Sequence, residues 1–331
     1  MNQSNLSVTV YGAGAIGGLF AARLSRCGCN VSVIARGRTL EAIAAHGLRL
    51  ITETGLRTEN LRAESDPSRL GPQDLVIIAV KTTGLADVVQ KIVPLLGPDT
   101  VIVTAMNGVP WWFFDSPDFP HAGLRLQTLD PLGALARTIP ASRILGCVVH
   151  LSSSSPEPGV MRPGYGNRLI LGEAVGGDSV RLQNTVALLR AAGFDAEASA
   201  AIRSDIWYKL WGNMTMNPLS ALTGATSDRL LDDVFVRQFC LKAMHEAATI
   251  GAQIGCPITQ SGEERMMLTR KLGAFKTSML QDTEAGKPIE VDALIGAVQE
   301  IGQKIGVPTP TIESLLGLVR LFGRCHGLYP Q

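Results

Sequence analysis

Three polar side chains that could do chemistry recur at four-residue spacing: Lys209, Asn213 and Asn217. In an α-helix this spacing places all three on one face, one turn apart. A lysine ammonium can protonate a developing oxyanion, and an asparagine amide can hold a carboxylate or hydroxyl without adding charge. The neighbouring residues are bulky and apolar: Trp207, Leu210, Trp211, Met214 and Met216. The row is either a solvated stripe or the lining of a site, and its apolar surroundings favour the site.

A second site is indicated by the motif GAGAIG, which begins at Gly12, follows the strand-like VTVY and opens a helical pattern. This is the context that a dinucleotide fingerprint requires. In such a fingerprint Gly12 permits the tight turn, Gly14 the approach of a pyrophosphate, and Gly17 the packing of helix on strand. The pyrophosphate would then lie on the helix N-terminus, against the amides of Ala15 and Ile16. The alternative is a glycine-rich turn that binds no dinucleotide.

The end of the second predicted strand indicates which dinucleotide is bound. An NAD site normally has an acidic residue there for the ribose 2′-hydroxyl, but none occurs between Gly18 and Leu40. The strand instead ends in VIARGR, with Arg36 and Arg38. Because a guanidinium suits a 2′-phosphate, we predict NADP(H), with Arg36 as its main contact. Ordinary solvation of two loop arginines is the alternative.

Two more polar residues follow predicted strands. Lys81 ends LVIIAVK, and Asn107 comes directly after VIVTAM. Open α/β sheets bind ligands at the carboxyl ends of their strands. A polar residue there is commonly a cap, but two of them beside a fingerprint favour roles in a site.

These residues need a parallel sheet and a helical region to position them. Short Val- and Ile-rich runs alternate with helical patterns in the first half, which predicts an α/β domain with the sheet covered on both faces. We predict a Rossmann-type NADP-binding domain over 1–198, with a β extension flanking a Ser/Pro/Gly loop at 151–166. Residues 199–331 are predicted to be all-helical, with a kink or break at Pro218, which lacks an amide hydrogen.

Composition excludes several classes of protein. The formal net charge is +1, so no basic excess indicates nucleic-acid binding. The six cysteines lack metal-ligand spacing, and we predict reduced thiols and no metal site. The N-terminus has no basic segment followed by a long apolar run, and apolar runs such as LVIIAV are too short to cross a membrane. We therefore expect a cytoplasmic protein that binds neither nucleic acid nor a membrane.

Over nearly its whole length the sequence resembles the ketopantoate reductase (2-dehydropantoate 2-reductase) family of the 6-phosphogluconate-dehydrogenase-like superfamily. The segments that carry the resemblance are GAGAIGG, the arginine at 36, AVKT, NGV, KLWGNMTMNPLSALTG and SMLQDTEAGKPIEVDALIG. The resemblance implies a Rossmann-type domain and a helical domain, with the site in the cleft between them. Separately from the resemblance, we predict a homodimer that forms through the helical domain.

The resemblance implies a role for each matching residue. Lys209 corresponds to the general acid, and Asn213 and Asn217 would hold the substrate. Ser278 would contact the substrate carboxylate, and Glu290 the cofactor or the lysine region. The two remaining residues are Asn107, expected near the nicotinamide ribose and the substrate hydroxyl, and Lys81, expected at the cofactor edge.

The implied reaction is the NADPH-dependent reduction of 2-dehydropantoate to pantoate in pantothenate biosynthesis. One alternative is a related 2-oxo acid, hydroxyacid or opine dehydrogenase with another small-molecule substrate. Trp111 and Trp112 follow Asn107 where smaller residues are expected, and they could line a different pocket. The other alternative is a non-catalytic NADPH sensor. A sensor is expected to lose the equivalents of Lys209 or Glu290, and both are present.

Overall fold

The computed structural model describes residues 6–331, which form two compact units. The first contains the chain up to Met106 together with Ala134–Ile202, and the second contains Asn107–Gly133 together with Arg203–Gln331. The first unit is built on a sheet and the second on helices. This confirms the predicted fold class, a Rossmann-type α/β domain followed by a helical one.

A single ten-stranded sheet organises the first unit within the described residues. The strands are β1 Ser7–Tyr11, β2 Asn30–Ile34, β3 Leu48–Thr52, β4 Gly55–Glu59, β5 Arg62–Glu64, β6 Gln73–Ile78, β7 Leu96–Thr104, β8 Ile144–Glu157, β9 Val160–Glu173 and β10 Asp195–Ala198. Their order is β4-β3-β9-β8-β7-β6-β1-β2-β5, and β10 pairs with β9. The run from β5 through β2, β1, β6 and β7 to β8 is parallel throughout, which is the strand order of a dinucleotide-binding fold.

Helices pack around this sheet and build the second unit. In the first unit they are α1 Ala15–Arg26, α2 Gly37–His46, α3 Leu85–Lys91, α4 Ala134–Thr138 and α5 Val180–Ala191. The helices that follow are α6 Ile202–Thr223, α7 Ser227–Asp232, α8 Val234–Gln253, α9 Gly262–Arg270, α10 Ser278–Glu284, α11 Ala297–Ile305 and α12 Pro310–Cys325. A π-helical turn, Asp292–Gly296, leads into α11. Among the helices of residues 6–331, none has the length and hydropathy that crossing a membrane would require.

The parallel strands form where apolar residues run continuously, because helices cover both faces of the sheet. Val8, Val10, Val33 and Ile77 are fully buried, and Phe20 of α1 packs in the same core. Burial of this core is the main stabilising contribution to the first unit, at about 25 cal/mol for each Å² of apolar surface removed from water. The core fixes where β1 and β6 end, and therefore where the glycine turn begins.

The predicted loop at 151–166 is wrong. Strand β8 continues to Glu157 and β9 begins at Val160, so this segment is mostly a long hairpin closed by a tight turn. Serine side chains bond across it: the Ser152 hydroxyl accepts from the Tyr165 amide at 2.7 Å. Serine, proline and glycine suggested a loop by composition, but pairing with the neighbouring strand decides the conformation. The β extension itself is confirmed, since both strands join the same sheet.

The predicted boundary between 198 and 199 differs from the division that the structure shows. Residues 107–133 belong to the second unit, although they precede α5 in the chain. The Glu300 carboxylate accepts hydrogen bonds from the backbone amides of Gln127 and Thr128, at 2.8 and 2.9 Å. This segment has no helix or strand of its own, so no periodic pattern marks its place. Of the kink or break predicted at Pro218, the break is wrong, because α6 continues to Thr223 with Pro218 inside it.

Candidate active site

The glycine turn after β1 leaves space at the start of α1. Gly12 has φ +103°, and a Cβ added there would lie 2.7 Å from Val80 Cγ1, so a side chain is excluded. A Cβ on Gly17 would lie 1.9 Å from the carbonyl oxygen of Gly12, which is why helix and turn can approach. At Gly14, in contrast, a Cβ would have no atom within 4 Å. Gly14 is also the N-cap of α1 and offers no side-chain cap, so the helix N-terminus faces open space.

This turn forms part of a cleft of about 220 Å³ at the carboxyl ends of β1, β2 and β6. Of the predicted cofactor residues, Gly12, Gly14 and Arg36 line it. Its other lining residues are Tyr11, Ala13, Ile34, Ala35, Thr39, Val80, Gly84 and Asp87. Of the remaining predicted cofactor residues of the first unit, Ala15 and Ile16 begin α1, and Lys81 precedes the 3₁₀ turn Thr82–Gly84.

A charged network at the cleft includes residues that the sequence did not indicate. The Arg36 guanidinium lies 3.9 Å from the Asp87 carboxylate and remains 68% exposed. The same carboxylate accepts from the Tyr11 hydroxyl at 3.0 Å and from Lys91 at 2.7 Å. Burial raises the pKa of Asp87, but the hydrogen bonds from Lys91 and Tyr11 and the charge of Arg36 outweigh it, so the pKa is lowered overall. In the sequence, Asp87 and Lys91 have the spacing of an ordinary helix-surface pair.

In the second unit the structure brings Lys209 and Asn107 together. The Lys209 ammonium donates to Asn107 Oδ1 at 2.7 Å, although 102 residues separate the two in sequence. The loop that carries Asn107 is held in place by contacts of the two residues that follow it, Gly108 and Val109. Gly108 has φ +82°, and a Cβ there would lie 2.4 Å from the Ala293 carbonyl oxygen, which accepts from the Val109 amide at 2.9 Å. Only glycine allows this approach to the π-helical turn.

A second pair of predicted substrate residues also meets. Asn217 Nδ2 lies 3.5 Å from the Ser278 hydroxyl, to which it donates. Ser278 is the first residue of α10, and the preceding Thr277 caps that helix by accepting from the Leu280 amide. Asn213 lies half-buried on α6, one helical turn from both Lys209 and Asn217. The predicted row is therefore one helix face, with a partner from another segment at each end.

Glu290 lies in a tightly held segment just before the π-helical turn. Ile289 and Val291 on either side are buried, while Glu290 itself is half-buried. The Ile289 amide donates to the carbonyl oxygen of Leu328 at 3.0 Å. Asn107 and Glu290 are thus carried by segments that are joined through Val109 and Ala293.

The chain matches two models of one protein family. The family model described as ketopantoate reductase PanE/ApbA matches residues 8–176, and its C-terminal counterpart matches residues 201–322. A 2-dehydropantoate 2-reductase from Mesorhizobium japonicum is 42% identical over 98% of this chain and 100% of its own. The chain belongs to the ketopantoate reductase family.

Solved structures agree with this family assignment. A protein from Ralstonia solanacearum MolK2 is 55% identical, with a TM-score of 0.95 over 98% of this chain and 99% of its own. A D-mandelate dehydrogenase solved with NADH and anilino(oxo)acetate shares the fold, with a TM-score of 0.83 at 21% identity over 97% and 99% of the two chains. Ketopantoate reductases are dinucleotide-dependent oxidoreductases, and the first unit fits such a cofactor: the open space at Gly14 and the helix N-terminus suit a pyrophosphate.

The aromatic segment that follows Asn107 lies in the hydrophobic core of this ketopantoate reductase family member. Trp111 is 6% exposed and Trp112 is fully buried, and Phe113 and Phe114 are buried beside them. Arg203 of α6 donates to the Phe113 carbonyl oxygen at 2.6 Å, and its guanidinium lies 4.7 Å from the centre of the Phe119 ring. The same guanidinium lies 5.9 Å from the centre of the Trp112 ring, so the buried segment contacts α6. That the two tryptophans line a different pocket stays a prediction.

The part of the chain that the structure describes contains no candidate metal site. No group of three or more His, Cys, Asp or Glu side chains there could hold an ion. The cysteines of residues 6–331 form no disulfide, and burial raises the pKa of Cys240 and Cys256 to about 11. Buried thiols of this kind are poor nucleophiles, so the polar groups on α6 remain the candidates for catalysis.

Proposed function

We propose that the protein catalyses the NADPH-dependent reduction of 2-dehydropantoate to pantoate, a step of pantothenate biosynthesis. The observation that carries the proposal is the hydrogen bond of 2.7 Å between Lys209 and Asn107. It supports a lysine whose ammonium group is held in one orientation by a neutral acceptor. Family membership over nearly the full chain supports the substrate.

We assign a different role in the reaction to each of the site residues. The bound nicotinamide supplies the hydride that adds to the C2 ketone carbon. Lys209 stabilises the negative charge that develops on the ketone oxygen and then donates a proton to it, giving the hydroxyl of the product. We assign Asn213, Asn217 and Ser278 to the substrate carboxylate and hydroxyl, which their neutral donors can bind without repelling the charge of Lys209. Glu290 is assigned as the counter-charge that keeps Lys209 oriented.

NADP(H) is the proposed cofactor. Arg36 lines the cleft and is mostly exposed, so its guanidinium is accessible to a 2′-phosphate. The acidic residue of the cleft, Asp87, lies on α3 and not at the end of β2, where an NAD site normally has its carboxylate. Gly12, Gly14, Ala15, Ile16 and Gly17 are assigned to the pyrophosphate, and Lys81, Asn107 and Glu290 to the nicotinamide side.

An assay of NADPH oxidation with 2-dehydropantoate and a panel of other 2-oxo acids tests the proposal. We expect turnover with 2-dehydropantoate to have the highest kcat/KM, and Lys209→Ala to lower kcat by about 10²- to 10⁴-fold. Lys242→Ala, at an exposed lysine of α8, is the matched control and should retain activity.

The possible outcomes separate the alternatives. Turnover of other 2-oxo acids without 2-dehydropantoate would identify a related dehydrogenase with another substrate. NADPH binding without turnover of any 2-oxo acid would identify a sensor and refute the enzyme. The homodimer and the cytoplasmic location stay predictions, and light scattering of the purified protein tests the first.

A further inference from the structure

The last residues of the chain hold the segment that carries Glu290. After α12 the chain turns back, and the Leu328 amide donates to the Gly323 carbonyl oxygen at 2.7 Å. Leu328 is buried, and Arg324 donates to the Pro330 carbonyl oxygen at 3.1 Å. The guanidinium groups of Arg320 and Arg324 lie 5.9 and 5.8 Å from the centre of the Tyr329 ring. The tail is therefore fixed on the helix that precedes it.

Two hydrogen bonds from this tail bracket Glu290. On one side the Leu328 carbonyl oxygen accepts from the Ile289 amide at 3.0 Å. On the other side the Tyr329 hydroxyl donates to Asp292 Oδ1 at 2.6 Å. The residue before Glu290 and the second residue after it are therefore both hydrogen-bonded to the tail.

The hydrogen bond from the Tyr329 hydroxyl to Asp292 is a strong one. Its acceptor is a carboxylate, and hydrogen bonds to charged groups are shorter and stronger than neutral ones. Burial and the neighbouring Asp292 raise the pKa of Tyr329 to about 12, so the hydroxyl stays protonated and able to donate. Asp292 also begins the π-helical turn whose Ala293 carbonyl oxygen is bonded to the Asn107 loop.

We propose that Tyr329, with Leu328, is a positioning residue that fixes Glu290 for the reaction. The proposal rests on the proposed function, in which Glu290 orients Lys209. Without the hydroxyl of Tyr329, the segment loses its side-chain bond to the tail and keeps the backbone bonds at Ile289 and Ala293, so the position of the Glu290 carboxylate is less strictly fixed. A shift of about 1 Å in a catalytic group is enough to lower a rate substantially.

Four proteins test this: the wild type, Tyr329→Phe, Glu290→Gln and the double variant. Phenylalanine keeps the ring near Arg320 and Arg324 and removes only the hydroxyl. We expect Tyr329→Phe to lower kcat for 2-dehydropantoate about 5- to 20-fold while the Kd for NADPH changes less than 2-fold. In the Glu290→Gln background, the same change should alter kcat less than 2-fold, because Tyr329 acts through Glu290.

Further variants separate positioning from loss of structure. Asp292→Asn keeps an acceptor for the tyrosine and should retain most of the activity, whereas Asp292→Ala should match Tyr329→Phe. Tyr165→Phe, at a tyrosine that is 74% exposed, is the matched control and should change nothing. Unchanged kcat in Tyr329→Phe, or an equal loss in both backgrounds, would overturn the proposal. Absence of turnover in the wild type would instead refute the proposed function.

Discussion

Removal of the Arg36 guanidinium should weaken NADPH binding and leave NADH binding almost unaffected. Arg36 lines the cleft at the end of β2, whereas Arg38 is exposed in the first turn of α2 and does not line it. The variants Arg36→Ala and Arg38→Ala therefore remove the same charge from two places two residues apart. A specific contact with the 2′-phosphate predicts a loss for the first variant alone.

The size of the loss follows from the exposure of the side chain. A hydrogen bond to a charged group contributes roughly 1.5–3 kcal/mol. Because the Arg36 side chain is 68% exposed, solvent screens the interaction, and we take a smaller contribution than this range, about 1–2 kcal/mol. At about 1.4 kcal/mol for each factor of ten, this corresponds to a KM for NADPH that is roughly 5- to 30-fold higher.

The assay is steady-state reduction of 2-dehydropantoate with each cofactor at two ionic strengths. Arg36→Ala should raise the KM for NADPH by that factor, leave kcat within about 2-fold, and change the KM for NADH little. The difference from wild type should shrink at high salt, because the contact is electrostatic and exposed. Equal losses in Arg36→Ala and Arg38→Ala, or equal losses with NADPH and NADH, would refute the assignment of Arg36 to the 2′-phosphate.

Three further predictions concern the turn, the loop and the substrate pair. Gly14→Ala should keep the wild-type Tm, because its Cβ meets only open space, but it should weaken dinucleotide binding at least about 10-fold in calorimetry. Gly17→Ala should instead yield little folded protein. Normal dinucleotide binding by Gly14→Ala would contradict the prediction. Glu300→Gln should lower the free energy of unfolding by about 1–3 kcal/mol in urea, and an unchanged value would show that the two amides find other acceptors. Ser220→Ala should raise the KM for the 2-oxo acid several-fold and leave kcat nearly unchanged. The reason is that the fully buried Ser220 hydroxyl forms hydrogen bonds with Thr277 and with the Asn217 carbonyl oxygen. A change in kcat alone would contradict the prediction.

Glu300 also predicts a pH dependence of stability. Burial raises the pKa of this carboxyl, but the hydrogen bonds from Thr128 and Gln127 and the charge of Lys304 outweigh it and lower the pKa overall. A carboxyl with a lowered pKa in the folded state contributes stability that is full above its unfolded pKa of about 4.3 and is lost as the pH falls through the folded value. The difference in the free energy of unfolding between the wild type and Glu300→Gln should therefore shrink as the pH falls below about 4.3 and should vanish below the lowered folded pKa. A constant difference at all pH values would contradict this.

Local patterns were predicted well where neighbouring residues decide the conformation. The glycine turn, the helix after it and the strands around it follow from spacing and residue type, because burial on both faces demands apolar runs. The serine-rich segment failed as a prediction because strand pairing overrides composition, as the bond between Ser152 and Tyr165 shows. The hairpin of β3 and β4 was not predicted at all, since only a partner strand stabilises it.

The sequence by itself determined the class of the fold, the glycine turn and the shared helix face of Lys209, Asn213 and Asn217, because each depends on residues within a few turns or strands. Only the tertiary structure decided what that face meets. The bond from Lys209 to Asn107 and the contact of Asn217 with Ser278 join residues 102 and 61 positions apart. Such contacts require packing of segments that carry no local signal for one another, and the same holds for the bond from Tyr329 to Asp292 beside Glu290.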